Sequence, residues 1–208
     1  HISTYLFEQQ VQGQPATQPN KDLELTKAYH VVGGYERRLP WKMRFKTEVY
    51  YQYLYDVPVE QNSTTGFSMI NAFDVYSLNN TNKLVSEGTG QNYGIDMSIE
   101  RSFADAWYVL ATGSIFTSTY KDYYGDEYNT TYNRGHQLNI IGGKEFKVSR
   151  DGRKIVGLNG KILYAGGMRE SPIDVNASIA ADKTILVSKQ YYTKQVPAYY
   201  RFDAGVYY

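Results

Sequence analysis

Cysteine is absent from this 208-residue chain, which excludes disulfide stapling, thiolate catalysis and Cys-based zinc or iron–sulfur sites. Histidine is scarce. The three, at positions 1, 30 and 136, are too scattered for a His-rich metal centre, and no local motif supports a Ser-His-Asp or Cys-His-Asn site. An excess of one charge is missing as well. With 22 Lys and Arg against 21 Asp and Glu, the net charge of +1 gives no long-range field to hold nucleic acid or an acidic membrane surface. No apolar run approaches the length of a membrane helix, and the mean hydropathy is −0.52. That absence concerns helices alone, because a transmembrane barrel crosses with strands of alternating polarity.

What the chain does have is tyrosine, 22 residues of it, and a two-residue rhythm. From Met43 to Val57 the odd positions Met43, Phe45, Thr47, Val49, Tyr51, Tyr53, Tyr55 and Val57 oppose Arg44, Lys46, Glu48, Tyr50, Gln52, Leu54 and Asp56. Period 2 over that length predicts a strand, spanning about 50 Å at roughly 3.3 Å per residue, longer than most strands of globular proteins. Residues 28–37, 91–101, 107–120, 136–146, 155–165 and 200–208 repeat the pattern. In residues 91–101, Tyr93, Ile95, Met97 and Ile99 alternate with Asn92, Gly94, Asp96, Ser98 and Glu100, whereas Leu110 and Phe116 break the alternation of residues 107–120.

Seven strands follow, joined by connections of alternating length. The short ones are 38–41, 102–106 and a turn around Asp151-Gly152, whose residue pair suits a hairpin. The others, 58–90, 121–135 and 166–199, are rich in Asn, Gly, Ser, Thr and Tyr, and two of them exceed the usual limit for a compact domain. All three fall at the same end of a meander. The expected fold is therefore all-β: an antiparallel meander of about seven strands forming part of a transmembrane outer-membrane β-barrel, with long loops at one rim and short turns at the other. A soluble sheet with one wet face, packed against a second layer, is the alternative that alternation also allows. On the barrel reading Val49, Tyr51, Tyr53, Ile95, Met97, Val109, Leu158 and Ile162 face lipid. Residues 173–183 are expected to be loop with at most one helical turn. The Gly pairs 33/34, 142/143 and 166/167 are expected to permit close approach of other elements rather than to bind a nucleotide.

Several strings resemble one family. Residues 20–30 (NKDLELTKAYH), 34–37 (GYER), 50–59 (YYQYLYDVPV), 82–94 (NKLVSEGTGQNYG), 142–146 (GGKEF) and 164–174 (YAGGMRESPID) resemble the barrel of TonB-dependent outer-membrane receptors of Bacteroidetes-type bacteria. The resemblance runs from about residue 20 to 208. It implies a fragment, 1–208, of a single receptor barrel, with the plug domain, the TonB box and the final strands absent. The start at His1 and the stop at Tyr207-Tyr208, within a strand, agree with that expectation. It further implies active import of a bulky nutrient (a metal chelate, a cobalamin-like compound, an oligosaccharide or a peptide) across the outer membrane of a Gram-negative cell. The implied partners are outer-membrane lipid, the plug and the remaining strands, TonB indirectly, and a surface lipoprotein as a candidate; nucleic acid is not among them. A passive outer-membrane channel and a soluble carbohydrate- or peptide-binding β domain are the other readings.

No catalytic, cofactor-binding or metal-binding residue is expected, and the chain is not read as an enzyme. Asp122, Asp126 and Glu127 lack the regular spacing of a calcium loop. The polar-parity residues Arg44, Lys46, Glu48, Asp56, Asp96, Glu100, Lys161, Arg201 and Asp203 form a mixed-sign wall. In a receptor these would face the plug, or else pair with one another across the strands. The candidate ligand-contacting residues are in the loops: Tyr76, Tyr123, Tyr124, Tyr128, Tyr191 and Tyr192, with Arg169 as an anchor for a carboxylate or hydroxyl. Packing of these tyrosines against one another, and pairing of Arg169 with Glu170 or Asp174, are the competing expectations.

Overall fold

A computed structural model describes residues 2–10, 12–61, 66–72 and 83–208 of the chain. In chain order the elements are α1 (Ile2–Tyr5), β1 (Lys27–Leu39), β2 (Met43–Glu60), a 3-10 turn at Met69–Asn71, β3 (Leu84–Ala104), β4 (Trp107–Lys121), β5 (Glu127–Asn129), β6 (His136–Lys147), β7 (Ile155–Ala165), β8 (Arg169–Glu170), α2 (Val175–Ala181), β9 (Lys194–Gln195) and β10 (Tyr199–Tyr207). The seven long strands make one antiparallel sheet in the order β1-β2-β3-β4-β6-β7-β10, while β5 folds back onto β4 and β8 pairs with β9 in the loops. The fold is all-β, a meander in which each long strand pairs with the next. Its two outer strands, β1 and β10, are not paired with each other.

Register turns the alternation of each strand into two continuous faces. One cross-strand row reads Phe45, Ile99, Ala111, Ile140, Ile162 and Phe202; the row beside it, on the opposite face, reads Lys46, Ser98, Thr112, Asn139, Leu163 and Arg201. Leu110, Ile141 and Leu163 interrupt the polar face, and Leu110 together with Phe116, on the same side of β4, breaks the alternation of residues 107–120.

The apolar face is the more exposed of the two. In β3, Tyr93, Ile95 and Met97 are 47%, 36% and 41% exposed, while Asn92, Asp96 and Ser98 between them are half-buried. In a water-soluble sheet burial follows the apolar parity; here the order is inverted. The buried hydrophobic residues, among them Val57, Val59, Leu84, Tyr120, Tyr128 and Tyr191, gather at the long-loop end. The whole surface is 13930 Å², whereas scaling from a mass of 23.8 kDa leads to about 9,900 Å² for a folded monomer. The described sheet therefore leaves both faces uncovered along most of its length.

Several boundaries differ from the sequence reading. β2 runs on to Glu60 and β3 starts at Leu84, so pairing replaces part of the expected loop 58–90. β3 reaches Ala104, leaving only Asp105 and Ala106 in the turn, both with positive φ (51° and 66°). That is the primed turn that matches strand twist, made without glycine. Around Asp151 the hairpin is wider than a two-residue loop: Lys147 pairs with Ile155, and Gly152 takes φ +71°. Residues 175–181 form a helix of seven residues, longer than the single turn allowed for, because Asp174 caps its N-terminus through Ala177 N at 2.9 Å and Asp182 closes it in the left-handed conformation.

At Asp56 the face assignment itself departs from the sequence expectation. A bulge between Leu54 and Val57, with Asp56 at φ 55°, resets the alternation. Val57 pairs with Gly88 and Leu54 with Gly90, two residues apart on β3, so Val57 shares the side of Leu54 rather than that of Tyr55. Asp56 leaves the polar wall and meets Lys27 at 2.8 Å.

Candidate functional site: two faces and a loop cluster

The polar face gathers all eight remaining wall residues, Arg44, Lys46, Glu48, Asp96, Glu100, Lys161, Arg201 and Asp203, on one side of the sheet. Six of them pair among themselves. Arg44 bridges to Glu100 at 2.6 Å, Lys46 to Glu48 at 2.8 Å and Arg201 to Asp203 at 2.8 Å. Asp96 stands directly opposite Glu48, a like-charge juxtaposition that destabilises a sheet unless something offsets it. Neither Asp96 nor Lys161 has an ion-pair partner among the described residues. Toward the loops the face becomes uncharged: Gln52, Asn92, Ser118 and Thr130 link in sequence by hydrogen bonds of 2.8, 2.5 and 2.8 Å. Shallow cavities of about 260 and 380 Å³ lie against Lys46, Glu48 and Asp96, and against His30, Tyr50 and Asp96.

The apolar face carries an aromatic band at each end. Tyr29, Tyr51, Tyr53, Tyr55 and Tyr93 cluster toward the loops, with Tyr29 stacked on Tyr55 at 5.3 Å. Trp107 and Phe146 lie toward the short turns, with exposed Trp41 in the turn between β1 and β2, whereas the register shift between Arg101 and Ala104 turns Phe103 to the polar side, its ring centre 6.4 Å from that of Tyr108. From Tyr53 to Met43 is about 33 Å along the strand, or about 25 Å of height at the tilt of membrane strands.

At the loop end the sequence candidates separate by burial. Tyr128 and Tyr191 are 7% and 3% exposed and pack edge-on at 5.2 Å, while Tyr120 contacts Tyr128 and Tyr192 and donates its hydroxyl to Gly66 O at 2.6 Å. These rings join three loops into one cluster. Tyr128 and Tyr191 are thereby removed from the surface that an incoming molecule meets. Burial pushes the Tyr128 hydroxyl up to about 12, with the Asp122 and Asp126 charges adding to it, and burial raises Tyr192 as well. Tyr123 and Tyr124 stay outside the cluster, edge-on to each other at 5.2 Å, with Tyr124 exposed. Tyr76 lies outside the described residues.

Arg169 pairs with neither Glu170 nor Asp174. Its Nε donates to Asn133 O at 3.0 Å and its guanidinium to Thr193 O at 3.4 Å, Lys194 takes Glu170, and Asp174 is occupied as the cap of α2. It ties loops together. Asp122 likewise turns inward, accepting from the backbone of Tyr124 and Asp126 at 2.9 and 3.0 Å, and Asp126 meets Lys189 at 2.8 Å.

Of the three glycine pairs, 166/167 demands its glycines: a Cβ would fall 2.0 Å from Arg134 O at Gly166 and 1.7 Å from Val196 O at Gly167. A cavity of about 400 Å³ opens there beside Arg134, Met168 and Tyr199. Arg134 and exposed Tyr132 were not anticipated from the sequence, in which nothing distinguishes them from other loop residues.

Arg101 was also missed. Its parity puts it on the apolar face, and it is 3% exposed. It donates to Trp41 O at 2.7 Å, to Trp107 O at 2.5 Å, to Ala104 O and to the Asp105 carboxylate at 2.7 Å. One side chain thus satisfies the carbonyls of two neighbouring turns. The one Arg of β3, in an apolar parity four residues before the turn residue Asp105, was the available signal.

No protein-family model matches the chain, and no curated protein matches it.

Proposed function

We propose that the sheet is a stretch of wall of an outer-membrane β-barrel, and that the protein imports a bulky nutrient in the manner of a TonB-dependent receptor. The observation that carries the reading is the inverted burial: an exposed apolar face bounded by two aromatic bands, opposite a polar face with no core beneath it among the described residues. A hydrocarbon layer on one side and a solvated interior or polar plug on the other is the surrounding that stabilises such a sheet. The long loops supply the outward binding surface through Tyr123 and Tyr124, and unpaired Asp96 and Lys161 supply contacts to an interior polar element. The family-like strings favour gated import of a metal chelate, a cobalamin-like compound, an oligosaccharide or a peptide over passive conduction.

Fractionation of the producing cells tests it. The protein should sediment with outer membranes, resist salt and alkaline extraction, require detergent, and migrate faster on gels before boiling than after. Release by salt or alkali in a folded form would overturn the membrane reading in favour of a soluble β domain.

A further inference from the structure

The balanced composition conceals a separation of charge along the strands. The three short-turn segments, residues 36–44, 100–106 and 144–154, carry ten Lys and Arg against five Asp and Glu. From chain totals of 22 and 21, the remainder holds 12 against 16. One end of the sheet is basic and the rest is acidic, so the near-zero net charge was a poor guide to the local field.

Two of these cations lie where lipid headgroups would be. Arg37 and Lys144 belong to the apolar parity, Arg37 opposite Phe45 and Lys144 opposite both Trp107 and Leu158. Both are exposed, and neither has an acidic partner among the described residues. Lys144 lies 5.2 Å from the Phe146 ring centre, and a shallow depression of about 440 Å³ opens beside it between Trp107 and Leu158, floored by Gly142 and Gly160. Trp41, 77% exposed in the turn after β1, extends the same rim. Aromatic rings beside unpaired cations at the border of an apolar band match the glycerol–phosphate level of a bilayer. The loop end, acidic on balance, lacks that complement.

We infer that the short-turn rim binds anionic glycerophospholipid, with Arg37 and Lys144 meeting the headgroup phosphates and the Trp107–Leu158 depression receiving acyl chain. This rests on the membrane reading above and adds a lipid preference to it. Each cation near an anionic surface favours it about fivefold.

The only two tryptophans of the chain, Trp41 and Trp107, both report on this rim. The protein is reconstituted in phosphatidylcholine bilayers in which either the phosphatidylcholine or an admixed phosphatidylglycerol carries brominated acyl chains, and tryptophan quenching is compared at equal mole fraction. Brominated phosphatidylglycerol should quench as though enriched about fivefold at the rim, and Arg37→Gln with Lys144→Gln should bring that enrichment close to one. Quenching by both lipids to the same extent would overturn the lipid preference while leaving the membrane reading intact. Absence of quenching by either lipid would overturn both.

Discussion

The guanidinium carbon of Arg101 lies over the Trp107 ring, 3.8 Å from its centre, against the residue that opens β4. Its donors hold the carbonyls of both neighbouring turns, one of which keeps Asp105 and Ala106 in left-handed conformations that cost non-glycine residues roughly 1–2 kcal/mol each. The side chain acts as a buried clasp for the short-turn rim, and the ring covers its open side.

Arg101→Met should therefore leave several carbonyls without a donor and destabilise the folded protein by about 2–3 kcal/mol. Asp105→Asn, which removes only an exposed partner, should cost under about 1 kcal/mol. Urea titration of the protein in detergent micelles checks the contrast; equal losses for the two variants would mean that the turn carbonyls find other donors.

On the apolar face, Ile95→Arg should reduce insertion by about 2–4 kcal/mol, the cost of a charge near the bilayer midplane. Asp96→Arg, one residue along, points to the opposite face beside Glu48 and should insert normally. The folded fraction on unboiled gels is the readout, and an Asp96→Arg defect as large as that of Ile95→Arg would remove the difference between the faces.

The Tyr128 hydroxyl, raised from its ordinary value of 10 to about 12 by burial, makes the loop cluster sensitive to alkali. Because the folded value is the higher one, the stabilisation is complete below pH 10 and falls as pH rises toward 12. Subtracting the tyrosinate absorbance of Tyr128→Phe from that of the wild type should reveal one transition near pH 12. A difference transition at pH 10 would mean that this ring is solvated.

On the import reading proposed above, replacing Tyr123 and Tyr124 together by Ala should weaken ligand binding about tenfold without changing the amount of folded protein, because neither ring belongs to the buried cluster. Tyr191→Ala should instead loosen the loops, detected as faster protease cutting within residues 166–198 on whole cells. Faster cutting at the Asp151 turn than in those loops would reverse the orientation.

Much of this architecture was legible in the sequence because a strand with two different faces writes its parity directly into residue order. β3 illustrates it: Tyr93 through Ser98 alternate without error, and the face assignments follow. Parity fails where the backbone inserts a residue, and the bulge at Asp56 carried no glycine to announce it. Burial among chemically identical tyrosines was equally hidden, since Tyr124 and Tyr128 differ only in what the folded loops bring to them. The helix at 175–181 was within reach: Asp174 is a visible cap, but seven residues give too short a period to recognise. The charge separation escaped notice because a net value averages over ends that only the fold distinguishes.

On the membrane reading proposed above, one face of this sheet meets lipid and the other does not. Spin labels placed singly at residues 92–99 of β3, in the protein reconstituted in bilayers, measure it directly through accessibility to oxygen and to a polar nickel quencher. Oxygen accessibility should peak at 93, 95, 97 and 99 and the polar quencher at 92, 94, 96 and 98, two signals of period 2 in opposite phase. Signals in the same phase, or polar-quencher peaks at the odd positions, would contradict the account.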